Sequence, residues 1–155
     1  MKLLVCLDFS TNSDALWHYA QQLAHALSAS VCLLHVTDSQ EEVLGYGGVF
    51  GEFPLYIDPK ELRQEIAQRF RNEHKKMQDY SQQMRDTGIS CLGLLVNGGA
   101  AVVTTILAEA HKHQSDMILV GSTHKGLLMT MVEGSTSKSL LNQANKPVLV
   151  VPLKP

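Results

Sequence analysis

Short, almost continuously apolar runs alternate along this chain with longer stretches whose apolar residues recur every three or four positions. The first run is Lys2 to Phe9, "KLLVCLDF". Its unbroken apolar character predicts a strand buried on both faces of a parallel sheet. Ser10, Thr11, Asn12 and Ser13 then offer several N-cap oxygens. Ala15, Leu16, Tyr19, Ala20, Leu23, Ala26 and Leu27 follow at helical spacing. Ser30 to Val36, "SVCLLHV", reads as a second strand. A polar helix is expected from Pro59 to about Asp86, with Leu62, Ile66, Phe70, Met77, Tyr80 and Met84 on one face and Gly88 ending it. Ile89 to Val96 predicts a third strand, "NGG" a turn, and Ala101 to His113 a helix. Asp116 to Val120 is the fourth strand, Ser135 to Ala144 the last helix, and Lys146 to Pro152 holds the fifth strand.

Five strands alternating with four helices predict an α/β fold: a five-stranded, doubly wound parallel sheet with helices on both faces. Strand order 3-2-1-4-5 with right-handed crossovers is the expectation. Ligands then bind beyond the carboxyl ends of the strands, where the order reverses. That places Asp8 near Gly121, in the crevice between strands one and four. Residues 38 to 58, "DSQEEVLGYGGVFGEFPLYID", break the rhythm; their four glycines argue against regular structure and for a flap over the crevice.

At 155 residues the chain reads as a single domain, residues 1–155, with enough apolar material for a sizeable core. The net charge of −2 gives no electrostatic case for a nucleic acid or an anionic membrane as partner. Cys6, Cys32 and Cys91 lie far apart in apolar runs, as buried reduced thiols do. The seven residues before Asp8 are too few for a signal peptide. No apolar run reaches the length of a membrane span. A cytoplasmic protein is the expectation.

Candidate chemistry concentrates in Val120 to Thr136, "VGSTHKGLLMTMVEGST". Gly121 closes a strand, and Gly134-Ser135-Thr136 opens a helix. Unpaired N–H groups and a partial positive charge at such an end accept phosphate. Gly134 permits close backbone approach, and Ser135 and Thr136 add hydroxyl donors. Glycine turns with serine caps also begin many helices that bind nothing. His124 and Lys125 stand in the loop as further phosphate donors. Asp8 reads either as a ligand to the bound molecule or as a helix cap. Cys6 and Leu7 line the end of the first strand, where core packing alone would also place them. The seven histidines form no chelating constellation: His18 and His25 lie two turns apart, His111 and His113 point to different faces, His35 is in a strand and His74 stands alone. No metal site is expected, and no catalytic triad can be argued from spacing.

The spacing from Gly121, through twelve residues, to Gly134-Ser135, followed by a helix and "NKPVLVVP", resembles the carboxyl-terminal signature of universal stress proteins. "LLVCLDFSTNSDALWHYAQQLA", "VCLLHV" and "ILAEAHKHQSDMILVGS" are similar to further segments of that family, so the likeness spans nearly the whole chain. The resemblance implies an adenine nucleotide, ATP or AMP, with or without Mg²⁺. It implies Asp8 beside the nucleotide, the Val36 backbone pairing with adenine, and Val120, Gly121, Gly134, Ser135 and Thr136 around the phosphates. Nucleotide-binding members carry a glycine where His124 stands here, and some members lack the loop pattern and do not bind ATP. His124 therefore either obstructs phosphate or donates to it. A regulatory binding module is implied, with at most slow ATP hydrolysis. The alternatives are a homodimeric interaction protein that binds no nucleotide and an α/β nucleotide-using enzyme. A homodimer through the fifth strand, Val148 to Val151, is expected from the exposed edge that the strand order gives it, with Leu149 and Val151 packing across the axis.

Overall fold

The computed structural model describes residues 1–37, 59–98, 101–123 and 136–153. Along the chain run β1 (Lys2–Cys6), α1 (Ser13–Leu27), β2 (Ser30–Thr37), α2 (Pro59–Asp86), β3 (Cys91–Asn97), α3 (Val102–Lys112), β4 (Met117–Thr123), α4 (Thr136–Gln143) and β5 (Val148–Leu153). The strands form one five-stranded sheet of order β3-β2-β1-β4-β5, as the alternation predicts. Every pairing is parallel. The segments Asp38 to Asp58 and His124 to Ser135, which carry the expected flap and most of the expected phosphate loop, lie outside the described residues.

Side chains alternate across the strands, and each face builds its own core. Leu3, Val5 and Leu7 of the first strand and its extension, with Val31, Leu33 and Leu119, pack against Leu16, Trp17 and Ala20 of α1 and Met77 and Met84 of α2. Leu4, Cys32, Leu34, Ile118 and Val120 pack on the other face against Ile106 and Ala110 of α3 and Leu140 of α4. The central strands are covered on both sides, which is why their sequences read as unbroken apolar runs. Among the described residues no helix is long and apolar enough to cross a membrane.

The two helices on the first face depart from the expected stripes. On α1 the buried positions are Ser13, Leu16, Trp17, Ala20 and Ala24, while Tyr19 and Leu27 are exposed. The stripe rotates because Trp17 enters the core and its indole N–H donates to the Tyr80 carbonyl at 3.1 Å. On α2 burial falls on Glu73, Met77, Ser81 and Met84, while Phe70 is exposed. This helix has 28 residues, roughly 42 Å of rise. A seven-residue strand such as β3 spans roughly 23 Å. The amino-terminal half of α2 therefore overhangs the carboxyl ends of the strands. Gly88 follows its last turn at φ +84°, and its N–H donates to the Arg85 carbonyl at 2.9 Å, the glycine stop that the sequence predicts.

Strand ends shift as well. β4 continues through Gly121 to Thr123, because β5 reaches Leu153 and supplies partners for Ser122 and Thr123. Pro152 lies inside β5, where an edge strand tolerates its missing N–H. Val151 is buried in the core shared with α1, so it is not free to pack across a two-fold axis as expected; Leu149 is 41% exposed.

Gly93 in β3 sets how closely α2 approaches the sheet. A Cβ there would lie 2.9 Å from Met77 Cγ and closer still to Ser81 Oγ. Gly93→Ala should therefore destabilise the protein by about 1–3 kcal/mol through overpacking. Scanning calorimetry should show a fall in Tm of roughly 2–4 °C per kcal/mol; an unchanged Tm would mean that α2 shifts without cost.

Candidate functional site

The carboxyl end of β1 is built by its neighbours. The Leu7 N–H donates to the Leu34 carbonyl at 2.8 Å, which carries the chain one residue beyond the strand along β2. Phe9 then adopts φ +56°, a left-handed conformation rare for an aromatic residue. The corner is held from within. Asp8 Oδ1 accepts the Ser10 N–H and the Ser13 hydroxyl, each at 3.0 Å. Asn12, at the N-cap of α1, makes no side-chain capping bond. Asp8 instead ties the turn before the helix to the Ser13 side chain, which fixes its carboxylate at the tip of the sheet. Partial desolvation pushes the Asp8 carboxyl up, but the Ser10 and Ser13 hydrogen bonds together hold its pKa below the ordinary 3.8.

Around this corner the sheet gathers six of the residues singled out from the sequence. Cys6 is in register with Leu34 on one side and Val120 on the other. Leu7 is buried and Asp8 exposed. Val36 pairs with Val96, and its side chain occupies the space that a Cβ on Gly98 would need. Gly121 pairs with Val151 inside β4 and does not end the strand. A Cβ at Gly121 would stand 2.5 Å from Leu153 Cδ1 and 3.6 Å from Leu16 Cδ2, so the core uses its smallness. Thr136 is the first residue of α4. His124, Gly134 and Ser135 lie outside the described residues. Burial pushes the Cys6 thiol up to about 12, with the nearby Cys32 thiol adding to the rise. Cys6 stays protonated at neutral pH and contributes volume, not a nucleophile.

A second group of residues, not singled out from the sequence, meets on the opposite face. Phe9 stacks on His35 with ring centroids 4.2 Å apart, and on Tyr80 at 6.1 Å. The Lys76 ammonium sits 5.7 Å from the Phe9 ring centroid. With the overhanging half of α2, the Phe9 and His35 rings bound a cleft of about 550 Å³ that also includes Asp8, Arg69 and Glu73. Two sequence signals pointed to it: a histidine in an otherwise apolar strand, and Arg69 and Glu73 at i, i+4 in line with Met77.

A parallel sheet of this order defines a doubly wound α/β protein, a class whose ligands bind at the switch point of the strand order. The Universal stress protein family matches residues 1–152, and the chain belongs to that family. It is 27% identical over 156 residues to universal stress protein MJ0577 of Methanocaldococcus jannaschii, which covers 99% of this chain and 95% of that protein. The solved structure of MJ0577 superimposes with a TM-score of 0.68 at 26% identity, covering 97% of this chain and 94% of that one. The universal stress protein of Archaeoglobus fulgidus in complex with dAMP has the same fold, with a TM-score of 0.60, 15% identity and coverage of 97% and 96%. So does a universal stress protein in complex with cAMP, with a TM-score of 0.63, 15% identity and coverage of 98% and 96%.

The hydrogen bonds to Asp8 tie stability to pH. Its folded pKa is depressed, so its contribution is complete above the ordinary carboxylate value of 3.8 and is lost as pH falls through the lower folded value. Asp8→Asn should lower Tm at neutral pH, and the gap to the wild type should close in strongly acidic solution. A gap that stays constant with pH would show that the carboxylate charge is not what stabilises the corner.

Proposed function

We propose that this protein binds an adenine nucleotide, ATP or AMP, at the carboxyl ends of β1 and β4, and acts as a stress-response binding or regulatory module. The observation that carries the reading is the register of the two strands at the switch point: Cys6 and Val120 are direct partners, with Gly121 one residue beyond Val120 and Asp8 two residues beyond Cys6. Asp8 is held as an ionised acceptor suited to ribose hydroxyls. The Val36 backbone, one residue before the end of β2, lies alongside and offers adenine an edge to pair with. Gly134, Ser135 and Thr136 at the start of α4 supply N–H and hydroxyl donors to phosphate. His124, with its ring N–H, stands where nucleotide-binding relatives place glycine. Two proteins of the same fold hold dAMP and cAMP, which supports an adenine nucleotide as the ligand class. Mg²⁺ would accompany ATP through its phosphate oxygens.

Titration calorimetry with ATP and AMP should give a binding free energy on the order of −5 to −8 kcal/mol, sub-millimolar to micromolar. Gly134→Val should abolish binding by blocking the approach of phosphate. His124→Gly decides the role of the ring: affinity falls if it donates and rises if it obstructs. Absence of heat and of any thermal shift with millimolar ATP would overturn the reading in favour of an interaction protein that binds no nucleotide.

The same module is proposed to form a homodimer through β5, Val148 to Val151. The supporting observation is that β5 is a terminal strand of the sheet, with Leu149 exposed on it and Leu141 exposed on the neighbouring α4. Two edges related by a two-fold axis would pair antiparallel. Val150→Pro removes a backbone donor, and Leu149→Asp places a charge in the contact. Light scattering should report twice the chain mass for wild type and a shift toward the chain mass for both variants. A folded Leu149→Asp variant that remains dimeric would move the interface elsewhere.

A further inference from the structure

The cleft under α2 lies across the sheet from the side chains of Cys6, Val36 and Val120, and its chemistry differs from that of a phosphate site. Acceptors converge in it. His35 is buried, with Nδ1 2.7 Å from the Leu7 carbonyl oxygen. A carbonyl only accepts, so Nδ1 carries a proton and donates it there. His35 Nε2 lies 3.9 Å from Glu73 Oε1, beyond hydrogen-bond reach. Glu73 itself is only 9% exposed. Its Oε1 takes the Arg69 Nε–H at 2.9 Å, while Oε2 is buried with no hydrogen-bond partner. Buried polar atoms are satisfied as a rule, and one that lines a cleft calls for a donor from outside the chain.

The charges around the cleft narrow the donor's identity. Asp8, Glu65 and Glu73 face Arg69 and Lys76 across it. A phosphate would meet three carboxylates, and a simple cation would meet two cationic side chains. Among the described residues, no three His, Cys, Asp or Glu side chains come together to hold a metal ion. A small zwitterion meets both signs at once. We propose that this cleft is a second ligand site that takes an α-amino acid: its ammonium donates to Glu73 Oε2, and its carboxylate pairs with Lys76. The ammonium brings donors to the buried Glu73 oxygen that lacks one, and displaces no existing hydrogen bond. The proposal stands apart from the nucleotide reading, since of the residues assigned to the nucleotide only Asp8 also lines this cleft.

The test uses the full chain and each standard L-α-amino acid in turn at millimolar concentration, read by thermal shift and calorimetry. At least one should raise Tm. For that amino acid, the N-acetyl derivative, which lacks the ammonium, and the decarboxylated amine should each bind at least tenfold more weakly. Glu73→Gln should weaken binding at least tenfold, because the acceptor charge is lost. Lys76→Met, which changes an exposed side chain and keeps its stem, should weaken it several-fold and decides the matter if Glu73→Gln does not fold. The response to AMP should be unchanged in both variants. A panel without a thermal shift, an amine that binds as tightly as its parent amino acid, or variants that bind like wild type would overturn the proposal.

Discussion

The burial of β1 on both faces is the constraint from which the rest of this architecture follows. Leu3, Leu4 and Val5 are completely excluded from solvent, and the strand is hydrogen-bonded to β2 on one side and β4 on the other. A central parallel strand needs helical layers above and below it. The chain provides them by carrying α1 and α2 over one face and α3 and α4 over the other. The reversal of direction falls between β1 and β4, so the backbones leaving those strands part company there and open a crevice. That point is where the helical layers do not close over the strand ends.

The corner after β1 turns this general feature into a particular site. Asp8 is oriented by the Ser10 N–H and the Ser13 hydroxyl, which together pre-set its carboxylate. Phe9, forced into the left-handed region, swings its ring to the opposite face and stacks on His35. One tight turn thus sets Asp8 at the strand ends, beside an aromatic and charged cleft on the side of α2. The length of α2 completes that cleft. A helix matched to the strands would end level with the sheet and leave His35 facing solvent.

Alternation of short apolar runs and helical stretches settled the α/β class, the parallel sheet and the positions of the elements, because burial on both faces leaves an unmistakable run of large apolar residues. The glycine stop after α2 was equally legible, since a left-handed residue is needed there and glycine adopts it without strain. Family membership was legible for the same reason that single motifs are weak: the likeness is spread across β1, α1, β2, β4 and α4 and does not rest on one loop. Asp8 and Gly121 could be brought together from order alone, since 3-2-1-4-5 makes their strands neighbours.

What only the tertiary structure decided are the choices that depend on a partner remote in sequence. The helical spacing of α1 fitted a stripe through Tyr19 and Leu27 as well as one through Trp17; the Tyr80 carbonyl, which takes the indole N–H, selected the latter. Gly121 read as a strand end until Leu153 and Leu16 filled the space beside it. Val151 looked available to a second chain until its place in the core with α1 was fixed. The cleft of His35, Glu73 and Lys76 joins residues from β2 and α2 that no local pattern connects. Periodicity reports how much of a segment is buried and with what repeat, but not which neighbour buries it, and a site assembled across a sheet edge exists only once that neighbour is in place.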